Sequence, residues 1–221
     1  MQIQWYPGHM AKARRMLEEN LKLIDVVVEL VDARAPLATR NPDFDALFSQ
    51  KSRVILLNKS DLASAEQTKK WIEYYKAQNI NAIAFVSTSS AKRKAAVSLI
   101  EAAAADKVAK MKEKGVTKTV RAMVVGIPNV GKSTFINRIA GETKAKVGDK
   151  PGVTKGKQWV KVSPYLELMD TPGLLWPKLE NEALAKHLAY IGSINDDIMD
   201  AERLAADLLG ELIAICPNEL K

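Results

Sequence analysis

Two rhythms of hydrophobic and polar positions run along this chain. Short apolar runs stand at "VVVELV" (26–31), "RVILL" (53–57), "AIAFV" (82–86) and "RAMVV" (121–125). Runs of this length, rich in β-branched residues, suit strands buried on both faces of a parallel sheet. Longer stretches lie between them, such as "AEQTKKWIEYYKAQN" (65–79), where apolar and charged residues recur at helical spacing. Two further runs, "QWVKV" (158–162) and "LELMD" (166–170), alternate polar with apolar around Ser163-Pro164 and predict an antiparallel hairpin. Strand alternating with helix predicts the α/β class.

Each predicted strand is followed by a polar loop. These are Asp32-Ala33-Arg34, then Asn58-Lys59-Ser60-Asp61, then Ser87-Thr88-Ser89, then Gly126 and its neighbours, and last Asp170-Thr171-Pro172-Gly173. In a parallel sheet such loops emerge at the carboxyl edge, where open α/β sheets bind ligands.

Two of the loops carry chemistry that belongs together. "GIPNVGKST" (126–134) has the form G-x-x-x-x-G-K-[ST] between a strand and a predicted helix, "STFINRIAG". Gly126 and Gly131 allow the backbone to wrap phosphates, and the stretch Asn129, Val130, Gly131, Lys132, Ser133 and Thr134 forms the cradle. Lys132 reaches the terminal phosphates as the catalytic cation, and the Ser133 hydroxyl can ligate Mg²⁺. A chance glycine-rich turn is the bland alternative. Asp170 and Gly173 form D-x-x-G, with the carboxylate directed to Mg²⁺ and the Gly173 N–H to a γ-phosphate; alone, this is also an ordinary turn sequence. Thr154, in "KPGVTKG", is read as a switch threonine that contacts the metal, although Thr143 lies in the same loop.

"NKSD" (58–61) reads as a guanine selector. A carboxylate at Asp61 can accept from N1–H and the 2-amino group of guanine, and adenine would leave it unpaired. Asn58 either bonds the base or ties this loop to the phosphate loop, and the Lys59 stem is expected against the purine. Ser87 and Thr88 offer a backbone or hydroxyl contact to the guanine oxygen. The implied ligands are GTP and GDP. An ordinary GTPase has the phosphate loop first and the selector later. Here the order is reversed, which reads as a circular permutation: loops that share one sheet edge face one ligand whichever comes first.

The chain has 221 residues, 47% of them apolar, which describes a globular protein. One cysteine, Cys216, excludes an internal disulfide and fits a reducing cytosol. No apolar run reaches the roughly 20 residues that span a bilayer, so neither membrane nor export is expected. The net charge of +7 is uneven, because the part from residue 178 holds nine acids and four bases, −5, and leaves +12 on the rest. Lysines gather at 107–118 and 144–161. Such a field attracts polyanions such as RNA, unless it is only a solvated surface.

Taken together, "QWYPGHMAKARR" (4–15), "ELVDARAP" (29–36), "LLNKSD" (56–61), "GIPNVGKST", "KPGVTK" (150–155), "QWVKV" and "DTPGLLWPK" (170–178) resemble the YlqF-type circularly permuted GTPases over nearly the whole chain. The resemblance implies a slow GTP hydrolase with Mg²⁺, coupled to late assembly of the large ribosomal subunit in a bacterial cytoplasm, with the subunit precursor and its rRNA as partners. A monomer is expected. It divides the chain into a permuted GTP-binding domain (1–177) with a basic N-terminal segment, and a helical segment (178–221) that corresponds to an incomplete RNA-binding domain. Leu174 and Leu175 stand where Ras-like enzymes carry a water-orienting glutamine. The resemblance points instead to His9, on an N-terminal segment expected to be mobile, unless that histidine is incidental. In related GTPases lacking the glutamine an asparagine at this place in the phosphate loop is linked to K⁺, which makes Asn129 a candidate; otherwise it is a turn former. Two readings follow: a GTPase switch, or an RNA-binding assembly factor for which GTP is a structural ligand.

Overall fold

The computed structural model describes residues 3–4, 8–141, 158–176, 178–179, 181–194 and 200–218. Its centre is a six-stranded sheet. In chain order the strands are β2 (Val26–Asp32), β3 (Ser52–Asn58), β4 (Asn81–Ala84), β5 (Val120–Val125), β6 (Gln158–Ser163) and β7 (Leu166–Asp170). They lie in the order β4-β3-β2-β5-β7-β6. All neighbours are parallel except β6 and β7, which form the predicted antiparallel hairpin. A two-stranded pairing of β1 (Ile3–Gln4) with β8 (Lys178–Leu179) is too short to be legible in the sequence.

The apolar runs become strands because both faces of the sheet are covered. In β3, Val54 and Leu56 enter the main core, while Ile55 and Leu57 enter a second cluster with Tyr75 of α4 (Ala65–Ala77). Side chains alternate across a strand, so a continuous apolar run requires packing on each side. On the main-core side lie α5 (Arg93–Ala103), through Ala96 and Ile100, and α7 (Lys132–Ala140), through Phe135, Ile136 and Ile139. The short helices α2 (Pro36–Thr39) and α3 (Asp43–Leu47) follow β2, and α6 (Ala105–Glu113) follows α5.

The N-terminal segment differs from the mobile arm expected. From Gly8 it forms α1 (Gly8–Asn20), and Met10, Ala13 and Leu17 are buried in the main core. Their i, i+3, i+7 spacing is a helical stripe, obscured in the sequence by the charged residues around it. His9 occupies the first turn of this helix, and its side chain lies outside the described residues.

At the other end α8 (Glu182–Tyr190) buries Ala185, Leu188 and Ala189 in the same core and packs beside α2. The helix α9 (Ala201–Ile215) has no buried residue and meets α8 through Lys186–Asp207 (2.8 Å) and His187–Glu211 (2.9 Å).

Candidate functional site

The loops after β2, β3, β5 and β7 come together at the carboxyl edge, because β3, β2, β5 and β7 are consecutive and parallel. The loop after β5 is set from beneath by the buried Ile127 and Val130. Gly126 has φ 151°, and a Cβ there would stand 2.6 Å from the Leu30 carbonyl oxygen. Gly131 has φ 95°, and its Cβ would stand 2.5 Å from Asn58 Nδ2. Both positions therefore require glycine. Gly131 also opens α7 with no side chain to cap the first turn, which leaves helix N–H groups for an anion.

Lys132 is only 7% exposed, and its Nζ donates to the Ile127 carbonyl at 2.8 Å. Burial lowers its pKa to about 8, against the opposing charge of Asp170. Ser133 Oγ donates to Asp170 Oδ2 at 2.8 Å. Asp170 Oδ1 is buried and has no hydrogen-bond partner among the described residues. Burial raises the Asp170 pKa above the ordinary carboxylate range, against the hydrogen bond from Ser133 and the charge of Lys132. A hydroxyl and an orphaned carboxylate oxygen at one point are the hard-oxygen set that Mg²⁺ takes alongside phosphate, so these residues fit that ion. Thr134 is half-buried in the first turn of α7.

The loop after β7 is pressed against the phosphate loop. A Cβ on Gly173 would stand 2.6 Å from Pro128 N and 2.7 Å from Pro128 Cα. Leu174 N–H donates to the Gly126 carbonyl at 3.2 Å. Leu174 and Leu175 are core residues, which accounts for the absence of a polar group there. Asn41 Nδ2 donates to the Leu174 carbonyl at 2.9 Å, and Thr171 Oγ1 to the Val124 carbonyl at 2.6 Å.

Asn58, 1% exposed, joins three loops. Its Nδ2 donates to the Val130 carbonyl at 2.7 Å, while its Oδ1 accepts from Ser87 N–H at 3.0 Å and Ser87 Oγ at 2.8 Å. The bond to Val130 ties the loop after β3 to the loop after β5. Lys59 Nζ lies 2.9 Å from the Asn129 carbonyl oxygen and 2.9 Å from Asp32 Oδ2. Asp61 is exposed, in the 3₁₀ turn Ser60–Leu62. Thr88 is exposed, and Arg138 of α7 holds its loop by donating to the Ser87 carbonyl at 3.0 Å and the Thr88 carbonyl at 2.6 Å. Asn129 has φ 61°, and its Nδ2 donates to the Gly192 carbonyl at 2.7 Å.

Asn58, Lys59, Asp61, Ser87, Thr88, Asn129, Val130, Gly131, Lys132, Ser133, Thr134, Asp170 and Gly173 thus share one edge of the sheet. Thr154 lies outside the described residues. Sequence reasoning gave no role to the supports beneath them, namely Asp32, Asn41, Arg138 and Thr171, although it placed the loops of Asp32 and Thr171 at this edge. Asp32 had a visible signal, an acid closing an apolar strand. The others form long-range pairs without a local signature.

The family described as a 50S ribosome-binding GTPase matches residues 121–209. The protein from Priestia megaterium named ribosome biogenesis GTPase A is 50% identical over 223 residues, covering 100% of this chain and 77% of that protein. The chain belongs to the YlqF-type ribosome biogenesis GTPase family. A second GTPase of this family, from Thermotoga maritima, is 38% identical over 202 residues, covering 91% of this chain and 70% of its own length. The solved structure described as GNP-bound YlqF from T. maritima has a TM-score of 0.65 and 32% identity, covering 92% of this chain and 75% of that one. The assembled edge is accordingly that of a GTP hydrolase whose domain carries a mostly parallel six-stranded sheet. Among the described residues no helix is long and apolar enough to cross a membrane.

Proposed function

We propose that this GTPase binds GTP and GDP across the phosphate loop and the Asn58–Asp61 loop, and that its nucleotide state governs late assembly of the large ribosomal subunit. The observation that carries this reading is Asn58, whose amide joins the proposed base-reading loop to the Val130 carbonyl of the proposed phosphate loop. A base and a phosphate chain then meet one connected surface.

The roles follow from position. Asp61 reads the guanine edge, and Ser87 and Thr88 border the base. The backbone of Asn129 to Ser133 holds phosphates at the start of α7, while Thr134 completes the helix turn and Gly173 offers its N–H. Lys132 supplies positive charge to the phosphates and exchanges its bond to Ile127 for them. Ser133, Asp170 and Thr154 hold Mg²⁺, which contributes charge stabilisation at the phosphates. Asn129 is the candidate ligand for K⁺. His9, on α1, is the candidate for orienting water, since Leu174 and Leu175 are occupied in the core.

The partners are the large-subunit precursor and its rRNA, met by the lysine-rich stretches of the chain and by residues 178–221 as part of an RNA-binding domain. The chain acts as a cytoplasmic monomer. Hydrolysis measured with and without large-subunit particles tests the coupling. Stimulation by particles, lost in Lys132→Ala, is expected; equal rates would refute the coupling. Burial of Leu174 and Leu175 favours one second reading, an RNA-binding assembly factor for which GTP is mainly a conformational ligand. That reading expects assembly to proceed with a non-hydrolysable analogue.

A further inference from the structure

Asp32 closes β2 directly beside Asn58, its register partner on β3. It is fully buried, at 0% exposure. Its backbone N–H donates to Thr39 Oγ1 at 2.9 Å, which fixes the residue in place. Its carboxylate is shared between two cations. Arg34 donates from Nε to Oδ1 at 2.9 Å and from Nη2 to Oδ2 at 2.7 Å, and the Lys59 ammonium lies 2.9 Å from Oδ2. Burial alone would raise its pKa, but Arg34 and Lys59 outweigh that and hold it below the ordinary carboxylate range.

Lys59 is the other half of the arrangement. Its backbone is left-handed, φ 58° and ψ 33°, a state that a non-glycine residue rarely adopts. It also immediately precedes the turn that carries Asp61. Its head is pinned at two points, the buried carboxylate of Asp32 and the carbonyl of Asn129 in the phosphate loop. A long stem secured at its tip by a charge-assisted bond restricts the backbone from which it springs.

We propose that Asp32 is a positioning residue for base recognition: it grips the Lys59 ammonium and so holds the loop bearing Asp61 at a set distance from the phosphate loop. This rests on the reading of Asn58–Asp61 as the guanine-selecting loop. Asp32 itself touches no base. Its effect falls on discrimination between bases and leaves phosphate binding alone.

The test compares GDP with ADP by calorimetry or competition on the nucleotide-free protein, with melting temperature measured alongside. Asp32→Asn keeps the shape and one acceptor oxygen but removes the charge. GDP affinity is expected to fall about tenfold and ADP affinity to stay, so the GDP-to-ADP preference falls about tenfold, or 1.4 kcal/mol. Lys59→Met alone is expected to lower the preference at least tenfold, and Asp32→Asn added to it to lower it less than threefold further, because Asp32 acts through Lys59. Arg34→Gln, which removes the other cation, is expected to keep the preference within threefold. If Asp32→Asn does not fold, Asp32→Glu decides: it retains the charge but shifts the Lys59 head by one methylene, and a preference lowered at least threefold is expected. An unchanged preference in the folded variant, additive losses in the double variant, or an equal loss in Arg34→Gln overturns the proposal. A wild type that binds GDP no better than ADP overturns the selector reading itself, and an unchanged Asp32→Asn in a guanine-selective wild type overturns the tether alone.

Discussion

Replacing Asn58 by alanine tests whether the site is assembled by this side chain. The substitution deprives two buried backbone groups of their partner, the Val130 carbonyl (2.7 Å) and the Ser87 N–H (3.0 Å). The Ser87 hydroxyl, which also donates to Asn58, can rotate to another acceptor and loses little. An orphaned buried polar group costs about 1–3 kcal/mol, so the pair should cost about 2–6 kcal/mol, centred near 4. Domains are stable by about 5–15 kcal/mol, so the variant should still fold. At roughly 2–4 °C per kcal/mol for a chain of this size, the melting temperature should drop by roughly 8–16 °C. Urea titration of the nucleotide-free protein, followed by circular dichroism, reads the same loss. GDP affinity should fall with it, because three loops lose their common tie. Asn58→Asp should be as damaging at pH 7, where a carboxylate oxygen would face the Val130 carbonyl, and milder near about pH 4, where it can protonate and donate. A loss below about 1 kcal/mol with unchanged GDP affinity would refute the argument.

Gly173→Ala drives a Cβ against the backbone of Pro128 (2.6 Å to N) and should cost about 1–3 kcal/mol and at least tenfold in hydrolysis; wild-type turnover would show that the loop gives way freely. Lys132 has a pKa of about 8 in the folded protein against 10.5 unfolded, so between those values the unfolded chain binds the extra proton and stability without nucleotide rises with pH. Nucleotide phosphates favour the ammonium, so GDP affinity should decline above about pH 8, with net proton uptake in calorimetry at that pH; proton release would refute the assignment. Ser133→Ala should raise the Mg²⁺ needed for half-maximal hydrolysis at least tenfold, and an unchanged Mg²⁺ dependence would remove Ser133 from the metal site. Asp61→Asn should shift preference from guanosine to xanthosine nucleotides, because an amide can donate where the carboxylate only accepts; retained guanine preference in competition binding would reject Asp61 as the base reader.

The strands were legible because their cause is local. "VVVELV" and "RVILL" are continuously apolar apart from Glu29 and Arg53, which pair with each other at 2.6 Å, and such runs suit strands covered on both faces; they became β2 and β3 within a residue at either end. The loop chemistry was legible for a similar reason. Gly126, Gly131, Lys132 and Ser133 act through spacing along a few residues, and that spacing survives whatever order the segments take along the chain. Even the left-handed backbone at Gly131 follows from a residue type that tolerates it.

The parts that tertiary structure decided are the pairings between segments. Asn58 meets Val130 across 72 positions, and Asn41 meets the Leu174 carbonyl across 133. Neither partner carries a mark of the other, since any buried carbonyl will accept from any amide brought to it. Register and strand order choose which one arrives: β2 lies between β3 and β5, and so Asp32 stands beside Asn58 and within reach of Lys59. The helix at Gly8–Asn20 shows the same limit from the apolar side. Its stripe of Met10, Ala13 and Leu17 is too sparse to stand out among charges, and only the core it completes makes that spacing a helix rather than an arm.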